Sequence, residues 1–457
     1  MGRRADDGSA DDVVTERFTA ALRRDLGTLE SYAALLGILI GAGIFKVTSY
    51  AWELTGPSVI LAYIVLAPAI LATSIAYSVF LSTPLGKEPG GEYTHLSRTF
   101  HGYGVAFIGA WLKIISYIGA LAYLANAFAD YLIELLGGAL PKTASMPIAI
   151  ASLLFFYAIH VAGVRWFGRL QVWMCALLGV SLVVLIVPGL FAIRVENYQP
   201  FFTKGLGGFA ESLPPLFFAY AGFEALAQTA GEVRDSTKKL PRIFLRGILA
   251  TSVIYILMSV VAFGVMPGEQ LRGVAAPMAA VASKYLPFGA AWFVTLGAVM
   301  ALSTSVNATM LVPSRIGIML AEDGLAPAWI GAVSAKTGTP ITGLTLTLVA
   351  ALLLLASGKV FLALNIAVFA LVVLYFLHSV ALIYLPILNK ELYRSVTLPM
   401  PRGLQLLAAL LSMIAMGTLI VLMIRDADTM KLMGFWGLTG AVLYLIARRN
   451  RRRKTYS

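Results

Sequence analysis

Two stretches of this 457-residue chain place polar chemistry inside apolar runs. The first is Gly37-Ile38-Leu39-Ile40-Gly41-Ala42-Gly43-Ile44-Phe45, followed by Lys46. The second is Leu213-Pro214-Pro215-Leu216-Phe217-Phe218-Ala219-Tyr220-Ala221-Gly222-Phe223-Glu224. A glycine costs about 1 kcal/mol relative to alanine inside a helix, so Gly41 and Gly43 mark the weakest point of the first segment. An interrupted helix exposes N–H groups where its second half begins and carbonyls where its first half ends. These ends carry about half a charge of each sign, and together they suit a zwitterion. The N–H groups of Ala42, Gly43 and Ile44 would take a carboxylate, and the carbonyls of Phe218, Ala219 and Ala221 an ammonium. Each charge-assisted hydrogen bond is worth about 1.5–3 kcal/mol, so several offset the desolvation of both groups. Gly37-x-x-x-Gly41 alone also fits a helix-packing motif. The second interruption, with Glu224 beside it, tips the balance toward a binding site.

Glu224 is the carboxylate with the strongest functional claim, because an ionisable group at mid-membrane is costly. It fits a proton acceptor, an organiser of the second interruption, or a salt-bridge partner. Lys46 stands one turn beyond Ala42 and either lines the approach to the site, snorkels outward or pairs with Glu53. The four histidines are scattered, and no carboxylate or cysteine cluster has metal-ligand spacing. Without paired carboxylates or a Cys/His pair at matching depth, a membrane-embedded enzyme has nothing to work with.

The elements that position these residues are helices. Hydrophobic residues make up 59% of the chain and charged ones 13%, with a mean hydropathy of +0.83, whereas soluble domains carry about 25% charged residues. Apolar stretches long enough to cross a hydrocarbon core of about 30 Å recur throughout. They predict twelve helices: 32–52, 58–81, 103–136, 147–163, 168–193, 209–232, 243–266, 285–320, 341–356, 360–388, 404–424 and 432–447. With the N-terminus in the cytoplasm, 25 of the 35 Lys and Arg residues fall on the cytoplasmic side and 8 outside, as the positive-inside bias requires. Both termini are then cytoplasmic. The polar start, 1–27, does not read as a signal peptide, and the basic run at 448–457 reads as a topology anchor on anionic lipid rather than a nucleic-acid site. The lone Cys175 precludes an internal disulfide, and nothing sets an oligomeric state.

Several motifs in order make the chain resemble the amino acid–polyamine–organocation family of permeases. They are Gly41-Ala42-Gly43-Ile44-Phe45, Gly90-Gly91-Glu92-Tyr93, Phe217 to Glu224, Glu232-Val233 through Pro241, and Arg315 with Ala321 to Pro327, then Gly338-Thr339-Pro340. The resemblance implies an all-α LeuT-type fold. Two inverted five-helix repeats (28–194 and 195–390) hold broken helices 1 and 6, and helices 11 and 12 (391–447) are peripheral. It places substrate contacts at Ile40 through Ile44 and at Phe218, Ala219 and Ala221, with Tyr220, Gly222 and Phe223 shaping the pocket and gates. The family's frequent mid-helix-5 lysine is absent here. A sodium ion at carbonyls of the first break and the hydroxyls of Thr304 and Ser305 is one substitute; the other reading is that these hydroxyls bond their own helix.

The expectation is a multi-pass cell-membrane transporter that works by alternating access, without cofactor, coupling neutral amino acid uptake to protons. Sodium symport, exchange, polyamine or organic-cation transport, and a non-transporting sensor are the alternatives. A selective role for Lys46 toward acidic substrates requires Lys46→Met to change the uptake profile; an unaltered profile excludes that role.

Overall fold

The computed structural model describes residue 22 and residues 24–41, 43–137 and 139–455. Ala42 and most of the N-terminal segment lie outside the described residues. The architecture is helical, and the only β-pairing among these residues is an isolated bridge between Leu26 and Val233. The main helices are α1 (Thr28–Leu39), α2 (Thr48–Thr55), α3 (Val59–Leu81), α4 (Glu92–Phe100) and α5 (Tyr103–Leu135). They continue as α6 (Ser145–Ala162), α7 (Val164–Phe191), α8 (Gly205–Phe217), α9 (Ala225–Gln228) and α10 (Ser236–Val265). The last five are α11 (Phe288–Glu322), α12 (Ile341–Ala356), α13 (Val360–Leu388), α14 (Arg402–Met423) and α15 (Ala427–Thr455). Three further short α-helices and several 3-10 turns lie in the connections.

Among the described residues, ten helical stretches are long and apolar enough to cross a membrane. The ninth span, α12, is a 16-residue apolar helix, and the sixth is broken into α8 and α9, which completes twelve. Side chains such as Trp173, Phe191, Leu353 and Ile414 stand fully outward, a disposition suited to lipid contact. The third span is 72% buried, the eleventh 33% and the twelfth 11%. The last two are therefore peripheral, as expected, although the fourth, at 28%, is just as marginal. The twelfth is docked on the third by a reciprocal clasp. Trp111 and Trp436 stack at 4.2 Å, and each indole N–H donates to the other's carbonyl, at 2.8 and 2.9 Å.

Several boundaries differ from the sequence expectation. α10 starts seven residues early, at Ser236, and α7 starts four residues early, at Val164. α15 continues to Thr455, because Arg and Lys are good helix formers and nothing in the basic run breaks the helix. That run extends the last span instead of forming a separate tail.

Both anticipated breaks are present. α1 ends at Leu39, and a π-helical turn, Gly43–Val47, leads into α2. α8 passes into a 3-10 turn, Phe218–Tyr220, and Gly222 then adopts φ +100°. The breaks touch each other. A Cβ built on Gly43 would lie 2.1 Å from the Ala219 Cα, and one on Gly41 would lie 2.0 Å from the Ser305 Oγ. A Cβ on Gly37 would meet the Gln171 amide at 2.4 Å and the Thr304 Cβ at 2.7 Å. The two readings of these glycines are thus both realised: Gly37 and Gly41 pack span 1 on spans 5 and 8, and Gly43 brings one break against the other.

Overpacking of this kind costs about 1–3 kcal/mol or more. Gly43→Ala should therefore lower the melting temperature of the purified protein and abolish uptake. Gly179→Ala, where the added Cβ meets nothing within 4 Å, should be neutral or slightly stabilising. Equal melting curves for the two variants would refute the close approach.

Candidate functional site

Breaking a helix inside a bilayer leaves carbonyls and amides without their usual partners, and each must find another. Here hydroxyls supply most of them. Tyr255, on α10, places its hydroxyl on both the Leu39 carbonyl and, at 2.6 Å, the Ala219 carbonyl, joining the two breaks. Tyr63, on α3, donates to the Gly43 carbonyl at 3.4 Å, and Tyr131, on α5, donates to the Phe45 carbonyl at 2.6 Å. On α11, Thr304 donates to the Gly37 carbonyl at 2.8 Å and to Ala301 of its own helix at 2.7 Å; Ser305 donates to Gly37 at 2.9 Å and Ile38 at 3.3 Å. These hydroxyls bridge spans 8 and 1 besides bonding locally. Gln171 adds donors to Ala33 and Thr304 carbonyls at 3.2 Å and is itself held by Asn307. Cys175 donates to the Ala33 carbonyl at 3.1 Å.

Between the breaks lies a small cavity. Its walls are Ile38, Leu39 and Gly43 of span 1; Ser116, Tyr117, Ala120 and Leu124 of α5; Phe218, Ala221 and Gly222 of span 6; and Ser305, Thr309 and Leu371. No wall residue is charged. Room for the centres of water-sized molecules amounts to about 20 Å³, enough for one water, which needs about 10–15 Å³. The conformation is therefore closed around its centre, and any solute larger than water requires the walls to part.

Of the residues singled out in the sequence, Gly43, Phe218, Ala221, Gly222 and Ser305 line this cavity. Ile40, Ile44, Ala219 and Tyr220 are buried behind it, and Gly41 abuts Ser305. The carbonyls proposed for an ammonium are partly engaged: Ala219 by Tyr255, and Phe218 by the Ala221 N–H at 3.1 Å. Phe223 packs in an aromatic group with Tyr77, Phe244 and Tyr375. Lys46 pairs with Asp130 of α5 rather than Glu53, because the π turn carries it toward α5.

Glu224 is fully buried and accepts from the Tyr117 hydroxyl at 2.7 Å, the Tyr375 hydroxyl and the Gly222 N–H at 3.1 Å. It also organises a cluster that the sequence reading missed. Lys113 of α5 reaches both Glu92 oxygens at 2.7 Å and Glu224 at 3.6 Å. Tyr77 and Gln228, the latter at 2.6 Å, complete the Glu92 shell. The signal was available: Lys113 interrupts an apolar helix, which is a functional flag by default, while Glu92 sits in the Gly-Gly-Glu-Tyr motif. Beside the cluster, His95 Nδ1 and His378 Nε2 are 2.9 Å apart.

Further polar contacts join the spans outside the cavity wall. On the side away from the chain termini stand Lys46–Asp130 and Tyr131 with Phe45. On the termini side, Arg315 and Glu232 form a buried pair at 3.0 Å. There too, Asp323 accepts from Tyr93 at 2.5 Å and Tyr103 at 3.3 Å. Among the described residues no group of His, Cys, Asp and Glu is arranged to hold a metal ion.

An unsatisfied buried carbonyl costs about 1–3 kcal/mol. Tyr255→Phe, which removes one oxygen and keeps the ring, should lower the melting temperature and raise the KM for uptake several-fold. An unchanged KM and melting curve would show that Tyr255 does not secure the breaks.

Comparison with known proteins agrees with this geometry. A family model described as amino acid permease matches residues 26–444. The branched-chain amino acid permease BcaP of Bacillus subtilis (strain 168) is 26% identical over 337 residues, covering 70% of this chain and 72% of that protein. Cationic amino acid transporter 1 of Arabidopsis thaliana is 28% identical over 339 residues, 70% of this chain and 55% of its own length. The methylthioribose transporter of Bacillus subtilis (strain 168) is 28% identical over 346 residues, 72% and 73%. Matched from the residues before α1 into α15, this multi-pass membrane protein belongs to the amino acid permease family, whose members are transporters and not enzymes.

Proposed function

We propose that this permease takes up neutral amino acids across the cell membrane by alternating access, drawing energy from an inward flow of protons, with both termini in the cytoplasm. The observation that carries this reading is the uncharged wall of the cavity between two helix breaks. A cationic side chain would need a carboxylate there, and the nearest, Glu224, is already engaged by two tyrosine hydroxyls and a backbone amide. The apolar groups Ile38, Leu39, Ala120, Leu124 and Leu371 suit an aliphatic side chain, and one relative is named a branched-chain permease. Polyamines and organic cations fit this wall poorly for the same reason.

The Lys46–Asp130 and Arg315–Glu232 pairs support an alternating-access cycle in which each would open in turn. Opening the Lys46–Asp130 side while Arg315–Glu232 stays paired admits substrate from one phase, and the reverse releases it into the other. One charge moving through 100 mV supplies about 2.3 kcal/mol, enough for roughly fifty-fold accumulation.

Sodium coupling is the second reading, favoured by the convergence of the Thr304 and Ser305 hydroxyls on the carbonyls of Gly37 and Ile38. An ion there would replace those hydrogen bonds with oxygen ligands. Purified protein in liposomes, given a panel of labelled amino acids under a pH gradient, a sodium gradient or neither, separates the readings. Neutral aliphatic amino acids should accumulate under the pH gradient in sodium-free buffer. Accumulation only with sodium would replace the proton reading, uptake only into preloaded vesicles would make the protein an exchanger, and saturable binding without flux would make it a sensor.

A further inference from the structure

Towards the end of α15 the exposed side chains change character within one turn. Leu443, Leu445 and Ile446 stand outward, and Arg448, Arg449 and Arg451 follow. A change from exposed apolar to basic side chains marks the level where hydrocarbon gives way to headgroups. There an open cleft lies between α15 and the start of α5. Its walls are Tyr103 and Gly104 of α5, Leu325 beyond α11, and Tyr444, Arg448 and Arg451 of α15. It offers about 350 Å³ of room, against about 20 Å³ in the central cavity. Among the described residues its wall holds two guanidinium groups and no carboxylate.

Arg451 is held in place by Tyr103. Its guanidinium lies 4.3 Å from the ring centroid and donates to the Tyr103 hydroxyl at 3.4 Å. A guanidinium stacked on a ring keeps a planar fork of N–H groups at its edge, which matches two phosphate oxygens. Arg448 stands three residues before it, on the same helix face, and is exposed. We propose that this cleft binds the phosphate of an anionic phospholipid from the leaflet nearest the chain termini. Arg448 and Arg451 take the phosphate oxygens, and the Tyr444 hydroxyl offers a further donor. The rings of Tyr103 and Tyr444, with Leu325, take the glycerol and the first methylenes. A lipid fits better than a soluble anion because the cleft borders the most peripheral span, 11% buried, at the level where its apolar surface ends. This is more than attraction to a basic end, since Arg449 carries the same charge and does not line the cleft.

A headgroup here fastens a lightly held helix. Three contacts run down α15 towards the start of α5: Trp436 on Trp111, Tyr444 on Phe107 at 5.3 Å, and Arg451 on Tyr103. The last of them continues inward. Tyr103 donates to Asp323 at the end of α11, which also accepts from Tyr93 of α4 and stands 3.9 Å from Arg98. A phosphate that fixes Arg451 therefore also steadies Tyr103, and it ties lipid composition to the junction of α4, α5 and α11. The inference is independent of which solute is carried and of what drives it.

The test follows the melting temperature of the full chain, purified in detergent, as phosphatidylglycerol, phosphatidylcholine, glycerol 3-phosphate or inorganic phosphate is titrated in. Phosphatidylglycerol should raise it saturably by several degrees, and phosphatidylcholine should not. Arg451→Gln should weaken the apparent affinity for phosphatidylglycerol about ten-fold, the loss of a forked phosphate contact. Arg449→Gln removes the same charge outside the cleft and should leave that affinity nearly unchanged. Equal losses in the two variants would mean diffuse attraction to a basic surface and overturn the site. Equal stabilisation of wild type by phosphatidylglycerol and phosphatidylcholine overturns it as well, so the test stands even where a variant does not fold. If glycerol 3-phosphate or inorganic phosphate stabilises as strongly at the same concentration, the lipid is overturned in favour of a soluble phosphate. Uptake plays no part in the readout, so failure of the lipid site and failure of the transport reading are told apart.

Discussion

Everything at the centre of this protein depends on satisfying backbone groups that two interrupted helices release into a waterless interior. Each unpaired carbonyl or amide there is costly, and ordered water has almost no room. The chain resolves this with hydroxyls reaching in from straight helices. Tyr255 holds one carbonyl from each break, Tyr63 and Tyr131 hold the π turn, and Thr304 and Ser305 hold the last turn of α1. These hydrogen bonds supply partners to the carbonyls at both breaks.

The same logic explains why ionised groups are tolerated one layer out. Glu224 takes the Gly222 amide that the sixth-span break releases, two tyrosine hydroxyls donate to it as well, and Lys113 balances Glu92. A buried ion pair is weak evidence for stability. Its Glu224 end stands directly behind two residues of the cavity wall, Tyr117 and Gly222.

How much of this was legible in the sequence divides along physical lines. The breaks were legible because glycine density within a hydrophobic run is a local property, readable at Gly41, Gly43 and Gly222. The twelve spans were legible because hydrocarbon thickness sets a length that composition reports. The tyrosine partners were not, since Tyr63, Tyr131 and Tyr255 come from three other helices at no fixed spacing, and a tyrosine in an apolar segment looks the same whether it anchors an interface or caps a carbonyl. Lys46 found Asp130 because a π turn shifts its direction, which residue spacing alone does not encode. Lys113 was readable as an anomaly, but its meaning required Glu92 and Glu224, which lie 21 residues before it and over a hundred after.

The contact between Gly43 and Ala219 gives the cavity two kinds of wall. On one side, where Gly43 meets Ala219, there is no room for even a methyl group. On the other the wall is side chain, from Ala120, Leu124, Thr309 and Leu371 on helices that run straight through. A random mutation on the first side destroys the contact between the breaks, whereas one on the second merely reshapes an empty space. Room for a differently shaped cargo therefore comes most cheaply from side chains on three other helices, while the meeting point of the breaks accepts no added atom.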